Sequence, residues 1–110
     1  MDTIAFEEFA RVKLRVAKIT ECDPVEGSDK LYKLTIRIGD ETRTLAAGLA
    51  KHYTPDELLG KKIIVVCNLA PRTLKGIESQ GMLLAAEDDE GRLGLLSLDN
   101  DEVKDGAQVG

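Results

Sequence analysis

Fifteen residues between two apolar runs concentrate the groups fit for recognition chemistry. Between Ile63 to Cys67 and Met82 to Ala86 the chain reads Asn68-Leu69-Ala70-Pro71-Arg72-Thr73-Leu74-Lys75-Gly76-Ile77-Glu78-Ser79-Gln80-Gly81-Met82. The flanking runs predict buried strands, so this stretch reads as a long loop held between them. It carries two cations, Arg72 and Lys75, one acid, Glu78, and the small polar groups of Asn68, Thr73, Ser79 and Gln80. Such a mixture suits phosphate oxygens and base edges better than a catalytic pocket.

Catalytic alternatives lack partners. Ser79 has no base near it in sequence, and the only histidine, His52, sits beside Tyr53 ahead of a helix start. A nucleophile needs a matched base and a group to orient it. Cys67 lies in an apolar run and reads as an inert buried thiol. Cys22 and Cys67 stand 45 residues apart with no His or Cys at metal spacing, which predicts free thiols and neither a disulfide framework nor a zinc site. Asp88, Asp89 and Glu90 precede a glycine without the spacing of a calcium loop, and read as a solvated turn. The expectation is a protein that is not an enzyme and needs no metal or cofactor.

Net charge is −5, which weighs against nucleic acid until its distribution is considered. Residues 61–86 hold four cations against one acid, and residues 87–110 hold two cations against eight acids. Cations thus fall in predicted strand regions while acids gather at the ends, a pattern compatible with one basic face. Aromatic residues make up only 4%, so recognition of shape and backbone is expected over base stacking. No apolar run approaches the roughly 18 residues needed to cross a bilayer, and the acidic start has no leader pattern. These features predict a cytoplasmic protein with no membrane role. At 110 residues the chain accommodates one domain, 1–110.

Residue patterning supplies the scaffold. Phe6 and Phe9, with Glu7 and Glu8 between them, predict a short helix with an aromatic side, for which Thr3 is a candidate cap. Val12, Leu14 and Val16 alternate with Arg11, Lys13 and Arg15, and the phase then slips at Ala17, predicting a bulged or bent strand. Residues 22–29 form a polar loop of turn residues. Leu34, Ile36 and Ile38 alternate with Lys33, Thr35 and Arg37, a half-buried strand with a basic outer face. Gly39-Asp40 predicts a tight hairpin into a strand over 42–47. Thr54-Pro55-Asp56-Glu57 is a capping box with proline at the first helical position, and Gly60 ends that helix. Ile63 to Cys67 is unbroken and β-branched, hence buried on both sides. Met82 to Ala86 and Leu93 to Leu98 predict a last hairpin, and residues 99–110 an irregular acidic tail. The sum is an all-β fold, a five-stranded OB-type barrel with a short helix between strands 3 and 4 and a short N-terminal helix.

Four segments carry a family resemblance: Gly27-Ser28-Asp29-Lys30-Leu31-Tyr32-Lys33-Leu34, Ala47-Gly48-Leu49, Asn68-Leu69-Ala70-Pro71-Arg72, and Lys75-Gly76-Ile77-Glu78-Ser79-Gln80-Gly81-Met82. Together they resemble the tRNA-binding domain found at the end of methionyl-tRNA synthetases, in free-standing tRNA-binding proteins, in the endothelial monocyte-activating polypeptide and in the secretion chaperone CsaA. Ala47 departs from the serine frequent there. The resemblance implies an OB fold without catalysis, tRNA as partner, a homodimer, and association with a methionyl-tRNA synthetase catalytic chain where the domain is an appendage. It places tRNA contacts at Lys30, Lys33, Asn68, Arg72, Lys75, Ser79, Gln80 and Met82. From the residues alone, Lys33 and Arg37 also fit a solvated strand face, and Met82 fits either core or packing on a nucleotide. The implied rival function is a CsaA-like chaperone binding unfolded polypeptide.

Overall fold

The computed structural model describes residues 1–110. Its first element, α1 (Phe6–Phe9), is a single turn. Thr3 does not cap it: the N-cap is Ala5, whose N–H donates to the Glu8 carboxylate at 3.0 Å. Nor does the aromatic side find a partner within the chain, since Phe6 is 75% exposed and Phe9 43%. No helix is long and apolar enough to cross a membrane.

The strand β1 (Leu14–Pro24) is long enough to serve two neighbours. Its second half pairs with β2 (Tyr32–Ile38), and the register shifts between Ile19 and Glu21, leaving Thr20 as the extra residue. The expected bend is therefore present, three residues beyond the slip at Ala17. Ala17 and Ile19 are wholly buried and face the core. Arg15 shares their parity and does not belong to an outer basic face; its Nε donates to the Gly106 carbonyl at 3.1 Å.

Alternation holds through β2, where Tyr32, Leu34, Ile36 and Ile38 are buried and Lys33 and Arg37 exposed. A two-residue turn at Gly39-Asp40 leads to β3 (Glu41–Ala47), with Ile38 opposite Glu41 and Tyr32 opposite Ala47. The capping box forms as written: in α2 (Pro55–Leu58) the Glu57 N–H donates to Thr54 Oγ1 at 3.4 Å, and the Thr54 N–H to the Glu57 carboxylate at 2.8 Å. This cap helps fix the turn that buries Leu58 completely.

Strand β4 (Lys62–Val66) pairs with the first half of β1 and is buried on both faces, as its unbroken apolar run predicted. The loop expectation for 68–82 needs correction. A hairpin interrupts it, made of β5 (Arg72–Leu74) and β6 (Ile77–Ser79). The expected final hairpin is also divided: β7 (Met82–Leu83) pairs with β4, and β8 (Ala85–Glu87) pairs with β9 (Leu93–Leu95). The tail is less irregular than its composition suggests, because β10 (Gln108–Val109) pairs with β1.

The main sheet runs β3-β2-β1-β4-β7 and curls around one apolar cluster. Between β3 and β7 there is no regular ladder. Instead the Gln80 N–H donates to the Thr44 carbonyl at 2.8 Å, Gln80 Oε1 accepts from the Thr44 N–H at 2.9 Å, and Ser79 Oγ accepts from the Ala46 N–H at 3.1 Å. Side chains thus satisfy the free edge of β3 that a neighbouring strand would otherwise cover. Gly81 permits this approach: its φ is +153°, and a Cβ there would stand 3.0 Å from the Val66 carbonyl oxygen.

Candidate nucleic-acid interface

The β5–β6 hairpin makes an arm lying against β3. Its two-residue loop is Lys75-Gly76, with φ of +50° and +81°, the positive pair that matches hairpin twist. Lysine in that conformation costs roughly 1 kcal/mol relative to glycine, a cost that the pairing of Leu74 with Ile77 on either side of the turn offsets. Across the arm Arg72 faces Ser79, Thr73 faces Glu78 and Leu74 faces Ile77. Arg72, Thr73, Lys75 and Glu78 are exposed while Ser79 is buried.

A groove lies on either side. One, of about 210 Å³, runs beside β3 and is lined by Leu45, Leu69, Arg72, Leu74 and Met82 among others. The second, of about 290 Å³, is lined by Lys33, Thr44, Gly76, Ile77, Glu78 and Gln80. Of the eight sequence-expected residues, Arg72, Ser79 and Met82 therefore gather at the first groove and Lys33 and Gln80 at the second. Lys75 stands between them at the tip. Met82 is 50% exposed, which settles its ambiguity against plain core. Lys30 lies in the loop before β2, exposed, its backbone tied to Ser28 Oγ and Ala50.

Two of the eight are occupied by their own chain. Asn68 Nδ2 donates to the Arg11 carbonyl at 2.5 Å and its Oδ1 accepts from the Lys13 N–H at 2.8 Å. The amide thereby latches the end of β4 to the entry of β1. Ser79 accepts from Ala46 and donates to the Gly81 carbonyl at 3.1 Å. Gln80 is engaged on one side only, since its Oε1 is used and its Nε2 has no protein acceptor.

Ion pairing engages four of the fifteen cations. Arg37, Arg43, Lys51 and Arg92 form the ion pairs of the molecule, with Asp105, Glu41, Asp29 and the Asp88/Glu90 turn. Lys30, Lys33, Arg72 and Lys75 form none, like Arg11, Lys18, Lys61 and Lys104, whereas Lys13, Arg15 and Lys62, also without a carboxylate, donate to backbone carbonyls. The basic outer face expected of β2 is accordingly reduced to Lys33, because Asp105 takes both Nε and Nη2 of Arg37 at 3.1 and 3.2 Å. That hydrogen bonding, with a further N–H from Gly39, holds the Asp105 carboxyl below its ordinary value.

Sequence inspection passed over Arg43. Its Nη1 donates to the carbonyls of Cys67 at 2.6 Å and Gln80 at 3.1 Å, tying β3 to the chain on both sides of the arm. Its place opposite Ile36, an unremarkable strand register, offered no signal. Burial pushes the Cys22 thiol up to about 11 and raises Cys67 as well, so both stay protonated and poorly nucleophilic near neutral pH.

A curled antiparallel barrel with an unneutralised, cation-bearing arm over one face defines an OB-type binding domain. Residues 14–108 match the family described as putative tRNA binding domain, and the chain belongs to it. It is 52% identical over 109 residues to the methionine–tRNA ligase of Caldanaerobacter subterraneus subsp. tengcongensis, an alignment covering 99% of this chain and 17% of that protein. The chain thus spans a small part of that curated relative. The crystal structure of a MetRS-related protein from Pyrococcus horikoshii superposes with a TM-score of 0.94 at 37% identity, covering all of both chains. The CsaA chaperone protein from Picrophilus torridus superposes with a TM-score of 0.88 at 30% identity, covering 98% of this chain and 100% of that one.

Proposed function

We propose that residues 1–110 form a single non-catalytic tRNA-binding domain that holds the ribose-phosphate exterior of tRNA, largely independently of sequence. The contacts run along the β5–β6 arm and the adjoining end of β2. The observation that carries this is that the exposed cations at the arm and the adjoining end of β2, Lys30, Lys33, Arg72 and Lys75, have no carboxylate partner in an acidic protein, with Arg72 and Lys33 lining the grooves on either side of the arm. Unpaired cations are free to displace counterions from phosphate, which is the main source of sequence-independent affinity. Gln80 Nε2 and the half-exposed Met82 supply a polar and an apolar contact beside them.

Arg72→Ala and Lys75→Ala should each weaken binding to many different tRNAs and flatten the salt dependence by about one unit of slope per charge. Fluorescence titration at several salt concentrations reads both quantities. Unchanged affinity and slope in both variants would remove the arm from the interface.

The domain acts in the cytoplasm, as a homodimer or joined to a methionyl-tRNA synthetase catalytic chain, raising the concentration of tRNA near a partner. Support for the dimer comes from Ile4, Phe6, Phe9 and Val12, all exposed near one another in the chain and uncovered by the barrel. Sedimentation at micromolar concentration should give twice the mass of 12.0 kDa; a monomer would refute the dimer.

A peptide-binding role has one observation of its own, the largely apolar groove lined by Leu45, Leu69, Leu74 and Met82. Titration with an unfolded polypeptide separates the two. Peptide affinity that exceeds tRNA affinity and survives salt would favour the chaperone role.

A further inference from the structure

The arm carries one carboxylate, Glu78, where electrostatics alone would place none. It is exposed, and it lines the groove that also holds Lys33, Thr44 and Gln80. It makes no ion pair with Lys33 or Lys75, so its carboxylate is free to meet a ligand. Beside phosphate it is repulsive, so on a purely counterion-driven surface it weakens binding.

An ionised carboxylate can only accept hydrogen bonds. Along a nucleic-acid backbone, phosphate and ring oxygens likewise only accept, and the single donor is the ribose 2′-hydroxyl of RNA. The rest of the groove supplies the complementary groups. Lys33 Nζ and the free Gln80 Nε2 donate, and the Thr44 hydroxyl is able to do either. Together they match one ribose with its phosphate: donors for the anion, an acceptor for the sugar.

Resting on the tRNA-binding proposal above, we infer that this groove is a ribose subsite in which Glu78 accepts a hydrogen bond from a 2′-hydroxyl. Glu78 then makes the surface selective for RNA over DNA without reading sequence. Lys33 supplies the phosphate contact next to it, and Gln80 is aligned by the bond from its Oε1 to the Thr44 N–H.

The test uses the full chain, an unmodified tRNA transcript, and the same sequence carrying 2′-fluoro sugars, which keep the RNA pucker and every phosphate but lack the donor. Wild type should bind the fluoro RNA about tenfold more weakly, the worth of one charged hydrogen bond. Glu78→Ala should bind both RNAs alike. Glu78→Gln retains an acceptor oxygen and should restore much of the preference. Equal affinity of wild type for the two RNAs, or an undiminished preference in Glu78→Ala, would overturn the subsite. So would tighter binding of both RNAs by one common factor in both variants, the signature of a merely repulsive charge. None of these outcomes touches the tRNA-binding proposal, which fails separately if Arg72→Ala and Lys75→Ala leave binding intact.

Discussion

Cations on the side of the barrel where the C-terminal tail lies and cations around the β5–β6 arm have the same chemistry and opposite surroundings. Beside the tail, Lys62 Nζ donates to the carbonyls of Asp101 and Val103, Arg15 to that of Gly106, and Arg37 to Asp105. Around the arm, the side chains of Lys30, Lys33, Arg72 and Lys75 are held by neither a carboxylate nor a backbone carbonyl. The tail therefore holds cations locally, Arg37 through one carboxylate and Lys62 and Arg15 through backbone carbonyls. A net charge of −5 says little about the arm, because exposed charges more than a Debye length apart are largely screened, at roughly 8 Å in physiological salt. One population builds the barrel; the other is left to meet phosphate.

Substitutions on the two sides should accordingly separate stability from binding. The largest stability effect is expected at Asp105→Ala, which removes the shared acceptor of the Arg37 guanidinium and the Gly39 N–H and should lower the urea midpoint. Its tRNA affinity should not fall. A clear loss of tRNA affinity with unchanged stability would reverse the assignment of the two sides.

Acid should lower stability through paired carboxylates in the tail and in β3. The Arg37 hydrogen bond, offset in part by burial, lowers the Asp105 carboxyl from its ordinary 3.8, and the Arg43 hydrogen bond likewise lowers Glu41 from 4.5. A depressed folded value means stabilisation that is complete above the unfolded value and lost as pH falls through the folded one. Melting temperature should thus be flat from neutral pH to about 5 and decline below about 4. A decline beginning near neutrality would point to another group. The smallest effect belongs to Arg92→Ala in the β8–β9 turn, where the side chain is 72% exposed and loss of its solvated ion pair with Asp88 should leave the urea midpoint nearly unchanged.

The difference between what the sequence revealed and what it concealed follows the range of the interactions. Strand β2, the cap of α2 and the doubly buried β4 are written in neighbouring residues, as alternation, as Thr54-Pro55-Asp56-Glu57, and as Ile63 to Val66. The arm escaped because its strands have three residues each and its turn places lysine at a positive φ, where Asn, Asp or Gly is the usual signal. The tail's pairing with β1 joins residues more than 90 positions apart, beyond any local pattern. The site divides in the same way. Cations were identified by type alone, whereas the engagement of Asn68 and Ser79 by their own chain depended on Arg11 and Lys13 just before β1 and on Ala46 in β3. A short polar side chain serves its own backbone or a ligand equally well, and only the folded chain decides which.

The most direct test of the central claim is the salt dependence of tRNA affinity for a variant with Lys30, Lys33, Arg72 and Lys75 all changed to Ala. Loss of about three to four units of slope, with an unchanged melting temperature, is the predicted result. A wild-type slope and affinity in that variant would contradict the claim that these four unpaired cations form the RNA-binding surface.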